Sequence, residues 1–328
     1  MRRIIFIIAA LMALNTLQAQ QLQFNKDRQF KIVQFTDIHW KANDPNSEIA
    51  KACMDSVLDA EKPDLVVYTG DLVYSRPAKI GLDRAFEPVI SRHLPFAYVF
   101  GNHDDEQDMT RKEIYEYVKV KEGCLMSTTP GITGVSNYTL TIKDPETKKD
   151  SFILYCFDSN SYSSAKQTKG YDWIHADQVE WYRKISASFT KQNGNKPMPA
   201  MAFFHIPFPE YADASSTDGN ELIGTRKETV CCPKVNSGLF QSLLECGDVM
   251  ATFVGHDHIN DYVTYWKGIA LGYGRFSGGN TVYNEIPNGN GARVIVLTEG
   301  KRSFETWIRL RNKTIINHIN FPDDFLHP

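Results

Sequence analysis

Five short apolar runs in this chain each break off into residues that ligate metals. Residues 31–35 lead into Thr36-Asp37-Ile38-His39, residues 65–68 into Thr69-Gly70-Asp71, and residues 96–100 into Gly101-Asn102-His103-Asp104. Residues 200–204 lead into His205, and residues 249–254 into Gly255-His256-Asp257-His258. Runs of this length and composition read as strands. In open α/β sheets, ligands collect beyond the carboxyl ends of the strands, so these five loops can converge on one crevice. A fold that fits the chain must bring those five strand ends together.

The text between the runs supports such a fold. Ile49, Cys53 and Val57 recur at helical spacing between the first two runs, and Pro63-Asp64 marks the turn into the second, which makes a βαβ unit. Further strand-like runs fall at 152–157, 269–271, 293–297 and 304–308, and helical patterns at 82–92, 111–120, 176–187 and 237–246. Strands and helices interleave to the end without a low-complexity linker, so residues 20–328 are expected to form a single α/β domain, a layered sandwich. Residues 123–136 and 207–236 read as long surface loops, a kind that often serves as lid or substrate wall.

At the N-terminus, Arg2 and Arg3 precede an apolar run over 4–14 and a polar stretch ending Leu17-Gln18-Ala19-Gln20. That order reads as a secretory signal peptide cut after Ala19, giving an exported protein, periplasmic or secreted. The rival, a membrane anchor, is weakened because the run falls short of the ~20 apolar residues that span a bilayer. No stable span is then expected after cleavage. Loss of the two arginines makes the formal net charge of −3 two units more negative. With no basic block or aromatic-basic stripe, no nucleic-acid patch is expected. Six cysteines in an exported chain permit disulfides. Cys53 and Cys156 sit in helix and strand patterns as small core hydrophobes, while Cys231 or Cys232 is the candidate to bridge Cys124 or Cys246 and pin the 207–236 loop.

The five clusters share a chemistry. Glycines before Asp71, Asn102 and His256 suit sharp exits from strands, where backbone without Cβ allows close approach. In Asp37-x-His39 and His256-x-His258, alternate residues of an extended segment project the same way and can offer two donors to one centre. Imidazole with carboxylate, and no thiolate, points to an N/O-ligated site for iron, manganese or zinc. Asp-x-His or Gly-Asp alone is common and uninformative, and a lone His205 on an apolar strand reads as a core histidine. The ordered set is what carries information.

That ordered set, Asp-x-His, Gly-Asp, Gly-Asn-His-Asp, His and Gly-His-x-His between Asp37 and His258, resembles the calcineurin-like metallophosphoesterases. Flanking text, including Tyr171-Asp172-Trp173-Ile174, Val235-Asn236-Ser237-Gly238 and Ile259-Asn260-Asp261, looks most like the purple-acid-phosphatase-like branch. The resemblance implies a four-layer sandwich, two mixed β-sheets flanked by helices, with a dinuclear centre at one end. It implies that Asp37, His39 and His258 hold one divalent ion, that Asn102, His205 and His256 hold the other, and that Asp71 bridges both. Two such ions clamp the attacking and leaving oxygens and lower the pKa of a bound water to ~7. The implied reaction is hydrolysis of a small-molecule or macromolecular phosphate ester, a monoester by preference. A phosphodiesterase is the alternative, and a non-catalytic binding protein the rival from another class.

Four further residues are candidates for roles around the metals. His103 has no assigned metal and is a candidate to protonate the leaving oxygen or to donate a hydrogen bond to the phosphoryl group, with Asp104 orienting it; for Asp104 the competing role is a helix N-cap. Arg275, in the glycine-rich stretch 272–279, is a candidate phosphate ligand. Tyr74 matches the Gly-Asp-x-x-Tyr of true purple acid phosphatases, where the tyrosine binds ferric iron. Those enzymes carry Asp-x-Gly where this chain has His39, so His39 is expected as the ligand and Tyr74 as a packing residue beside it.

Overall fold

The computed structural model describes residues 21–326, so the expected signal peptide lies outside the described residues. In chain order the elements are β1 (Gln29–Phe35), α1 (Ser47–Glu61), β2 (Leu65–Thr69), α2 (Ala78–Ile90), β3 (Phe96–Val99), α3 (Arg111–Val118), β4 (Tyr138–Lys143) and β5 (Asp150–Cys156). They continue as α4 (Ala176–Gln192), β6 (Ala200–Phe203), α5 (Glu210–Ser216), β7 (Leu222–Ile223), α6 (Leu239–Cys246) and β8 (Val249–Val254). The last strands are β9 (Val263–Trp266), β10 (Ile269–Tyr273), β11 (Gly291–Thr298), β12 (Phe304–Leu310) and β13 (Ile315–Phe321).

They form two mixed sheets. One has the order β13-β12-β11-β1-β2-β3, the other β4-β5-β6-β8-β10-β9-β7. β1, β2 and β3 run parallel, as do β5, β6, β8 and β10. β5 shows why the apolar runs are nearly continuous. Phe152, Leu154 and Cys156 enter the core shared with β1, β2 and β3, while Ile153 and Tyr155 face a second core with Tyr182 of α4 and Leu243 of α6. A strand covered on both faces has no use for polar alternation. On the far side, Ala50, Cys53, Met54, Val57 and Leu58 of α1 form a buried stripe at helical spacing against the first sheet. α1 stops at Lys62, whose φ of 48° is left-handed, just before Pro63.

Four strands lie outside the runs expected from sequence: β4, β7 and β13 at sheet edges, with β4 and β13 only partly buried, and β9, next to the edge strand β7. Edge strands keep polar residues on a solvated face, so a search for apolar runs passes over them. The 207–236 segment also holds α5 and β7 and is not a bare loop. No helix among the described residues is long and apolar enough to cross a membrane.

Candidate metal centre

All five clusters emerge at the carboxyl ends of parallel strands: β1, β2 and β3 in one sheet, β6 and β8 in the other. The loops are tied together through their backbones. Asp37 N–H donates to Gly70 O at 3.1 Å, His39 N–H to Asp71 O at 2.9 Å, and Gly255 N–H to His205 O at 3.1 Å. The glycines serve this closure between loops. A Cβ on Gly101 would lie 2.0 Å from Asp71 Oδ1, and one on Gly255 2.0 Å from Thr36 Oγ1. Asp37 (φ 56°), His39 (45°), Asp71 (54°) and His256 (79°) all sit in the left-handed region. Each such residue stores on the order of 1–3 kcal/mol and persists only where its surroundings over-determine it. The fold holds these four side chains in place against backbone preference.

Two donor groups result. Asp37, His39 and His258 form one, and Asp71, His205 and His256 the other, with the ligand atoms of each within 4.8 Å of one another. In the first, His39 Nε2 lies 3.0 Å from His258 Nε2, which is 3.7 Å from Asp37 Oδ1. In the second, His205 Nε2 lies 3.2 Å from Asn102 Oδ1 and 3.3 Å from His256 Nδ1. Asp71 Oδ2 faces both groups, 3.6 Å from His39 Nε2 and 3.2 Å from His205 Nε2. All seven side chains are buried. His205 Nδ1–H donates to Thr69 O at 2.7 Å and His258 Nδ1–H to Tyr283 O at 2.8 Å, which turns each Nε2 inward.

The electrostatics suit cations. Burial pushes His39 and His256 well below the usual imidazole range and His258 down to about 4, so all three stay neutral, the form that ligates. Burial, with the Asp71 charge adding to it, lifts Asp37 to about 7. For Asp71 burial works upward, but His205 overcomes it and holds the carboxyl well below its ordinary value. For His205 burial works downward, and Asp71 outweighs it to raise the imidazole to about 9. Without a metal, His205 carries the proton and its positive charge faces the ionised Asp71 carboxylate. Convergent ring nitrogens, three neutral imidazoles and a shared carboxylate fit a pair of metal ions; Asp37, His39 and His258 would hold one, Asn102, His205 and His256 the other, and Asp71 faces both groups.

The calcineurin-like phosphoesterase family matches residues 30–260 of the chain, the span from the first strand to just past the last donor. The chain belongs to the calcineurin-like phosphoesterases. The family is dimetal-dependent. The chain is 33% identical to the Arabidopsis thaliana protein named "Probable inactive purple acid phosphatase 29", over 91% of this chain and 86% of that one. It is 35% identical to the Saccharomyces cerevisiae protein named "Phosphatase DCR2", over 89% of this chain and 55% of that longer one. A solved dimetal phosphatase from Danio rerio shares the fold, with TM-score 0.60 at 13% identity over 89% of this chain and 98% of the other.

Around this phosphoesterase centre, His103 stands beside the donor groups, its ring 5.5 Å from that of His39 and its backbone N–H donating to Asp71 Oδ1 at 2.8 Å. Its expected partner is corrected. His103 Nδ1 pairs with Glu106 Oε2 at 2.6 Å, while Asp104 accepts the backbone N–H groups of Leu72 at 2.7 Å, Gly101 at 2.8 Å and Asp71 at 3.0 Å. Asp104 locks two metal-bearing loops together, and the N-cap of α3 is Thr110. Glu106, three residues past His103, lay within reach of sequence reasoning and was passed over because it stands outside the motif. Tyr74 packs edge-on against the rings of His39, at 5.4 Å, and His103, at 5.2 Å.

Arg275 is not a phosphate ligand. Its guanidinium is fully buried in an ion pair with Asp261 and donates to the carbonyls of Pro287 and Gly289. Arg293, also buried, donates to Asp261 O, so two guanidinium groups are built around one acidic residue. Asp261→Asn keeps the side chain's shape but leaves those charges without a counter-ion. It is expected to lower unfolding free energy by about 3 kcal/mol, the low end for a broken buried pair because carbonyls still accept from Arg275. Urea unfolding within about 1 kcal/mol of wild type would refute this.

The disulfide expectation is corrected as well. All six cysteines are free. The 207–236 segment is instead held by Asp257 within the last motif and by Asn260 and Asp261 just after it. Thr225 N–H donates to Asp261 Oδ1 at 2.6 Å, Lys227 N–H to Asn260 Oδ1 at 3.0 Å, and Cys231 N–H to Asp257 Oδ1 at 3.3 Å.

Proposed function

We propose that this chain is an exported phosphatase that hydrolyses phosphate esters, monoesters by preference, at the centre formed by the two donor groups. The observation that carries the reading is Asp71, one carboxylate oxygen facing ligand atoms of both groups. When bound, a metal pair at such donors supplies an activated water and neutralises charge on the phosphoryl oxygens. The chain's own residues do the rest. The buried donors fix the site's geometry, and Asp71 places the His103 backbone through its hydrogen bond. The His103 side chain, 27% exposed, reaches the open side of the centre, and Glu106 orients its ring. From there it protonates the departing oxygen.

Relatives named as phosphatases support the monoester preference, and the N-terminal pattern supports export. Some of those relatives carry the word "inactive" in their names. Here all seven donor-type residues are present and assembled, which favours catalysis over a silent binding role. The deciding experiment assays nitrophenyl phosphate, an alkyl phosphate and a diester with iron, manganese or zinc, alongside elemental analysis. Hydrolysis that survives confirmed removal of metal would overturn the reading, as would no turnover with any metal.

We assign divalent ions to both positions, because His39 supplies a neutral donor where tyrosinate would favour ferric iron. The protein should therefore be colourless, and Tyr74→Phe should keep both metals and most of the activity. A purple preparation bleached by Tyr74→Phe would reverse the assignment of His39 and Tyr74.

A further inference from the structure

An aromatic pair stands against the open side of the centre, on a hairpin outside the five donor clusters. Tyr162 and Tyr171 face each other across its base, and Ser163 N–H donates to Gly170 O at 2.9 Å to close it. Their rings stack with centroids 5.6 Å apart and planes inclined at 25°. Tyr171 is anchored inward, edge-on to the His256 ring at 4.4 Å. Tyr162 is anchored at its tip, where the hydroxyl accepts from Asn102 Nδ2 at 3.1 Å. That contact also orients the amide, leaving Asn102 Oδ1 toward His205.

From that tip the Tyr162 ring runs outward, and the residue is 47% exposed. One face is spent on Tyr171, so the other is open. The His103 ring lies 6.5 Å away. If His103 protonates the leaving oxygen, as the proposed function has it, the group attached to that oxygen emerges beside the open face of Tyr162. A flat aromatic group there stacks at the spacing aromatic pairs prefer. An alkyl chain gains much less.

We propose that Tyr162 is a stacking platform for the leaving group, and that the centre selects aryl phosphate esters over alkyl ones. The test uses phenylphosphonate and methylphosphonate, whose C–P bonds are not hydrolysed, titrated by calorimetry into the metal-loaded full chain. The phenyl compound should bind about five- to tenfold tighter, the worth of one aromatic pair. Tyr162→Leu should bring the ratio close to one, and Tyr162→Phe, which keeps the ring, should preserve it. An undiminished ratio in Tyr162→Leu, or a ratio lost in Tyr162→Phe, overturns the proposal. A protein that hydrolyses no ester but shows the Tyr162-dependent ratio refutes the proposed function and leaves the platform standing. A protein that hydrolyses esters with a flat ratio does the reverse.

Discussion

Asp71→Asn is expected to reduce phosphate-ester hydrolysis by about 10⁴-fold, equivalent to ~5 kcal/mol of lost transition-state stabilisation. The substitution keeps the shape and removes a full charge from the one side chain that faces both donor groups. It also introduces an amide NH₂ where only acceptors fit. Asp71 Oδ1 now accepts the His103 N–H at 2.8 Å, and Oδ2 faces two imidazoles. Turned toward the His103 backbone N–H, the amide sets a buried donor against a donor, at a penalty of about 1–3 kcal/mol; turned the other way, it points protons where the metals would be held. Metal content should therefore fall along with rate. A variant that kept two metal equivalents and a rate within about tenfold of wild type would remove Asp71 from the bridging position.

His103→Ala should behave differently, because His103 belongs to neither donor group. Both metals should stay, while the rate on an alkyl phosphate falls by about 10²–10⁴, the usual scale of general acid help. The fall should be smaller on nitrophenyl phosphate, whose leaving group departs without a proton. Glu106→Gln should follow the same ester dependence at about a tenth of the effect, since Glu106 only holds the ring. Equal losses on both esters would instead assign His103 a hydrogen bond to the phosphoryl group.

The corrections at Asp104 and Arg275 share a physical cause. Asp104 sits in the same motif as Asn102 and His103, yet it accepts at least three backbone N–H groups from the turns that present Asp71 and Asn102. Sharp strand exits leave buried N–H groups without partners, and a short carboxylate can satisfy several of them at once. Arg275 resembled a phosphate ligand because it lies in glycine-rich text. Those glycines run from the end of β10 into a segment packed closely on its neighbours, and the guanidinium is sealed inside with Asp261.

The sequence by itself determined the donor set and the architecture that unites it. Asp37, His39, Asp71, Asn102, His205, His256 and His258 were legible because each follows an apolar run, and parallel strands put such exits on one edge. The central strands were legible for a related reason: burial on both faces demands apolar residues throughout. The tertiary structure alone decided what supports the donors and what surrounds them. Glu106 on His103, Tyr162 on Asn102 and Tyr283 O on His258 are contacts made by loops that turn back on the site, and Thr69 O on His205 comes from the end of β2. Apart from Glu106, these partners lie well away in the chain and carry no periodicity, and two act through a backbone carbonyl that every residue possesses. Residue type reveals which side chains can bind a metal; which neighbours orient them depends on how the loops pack.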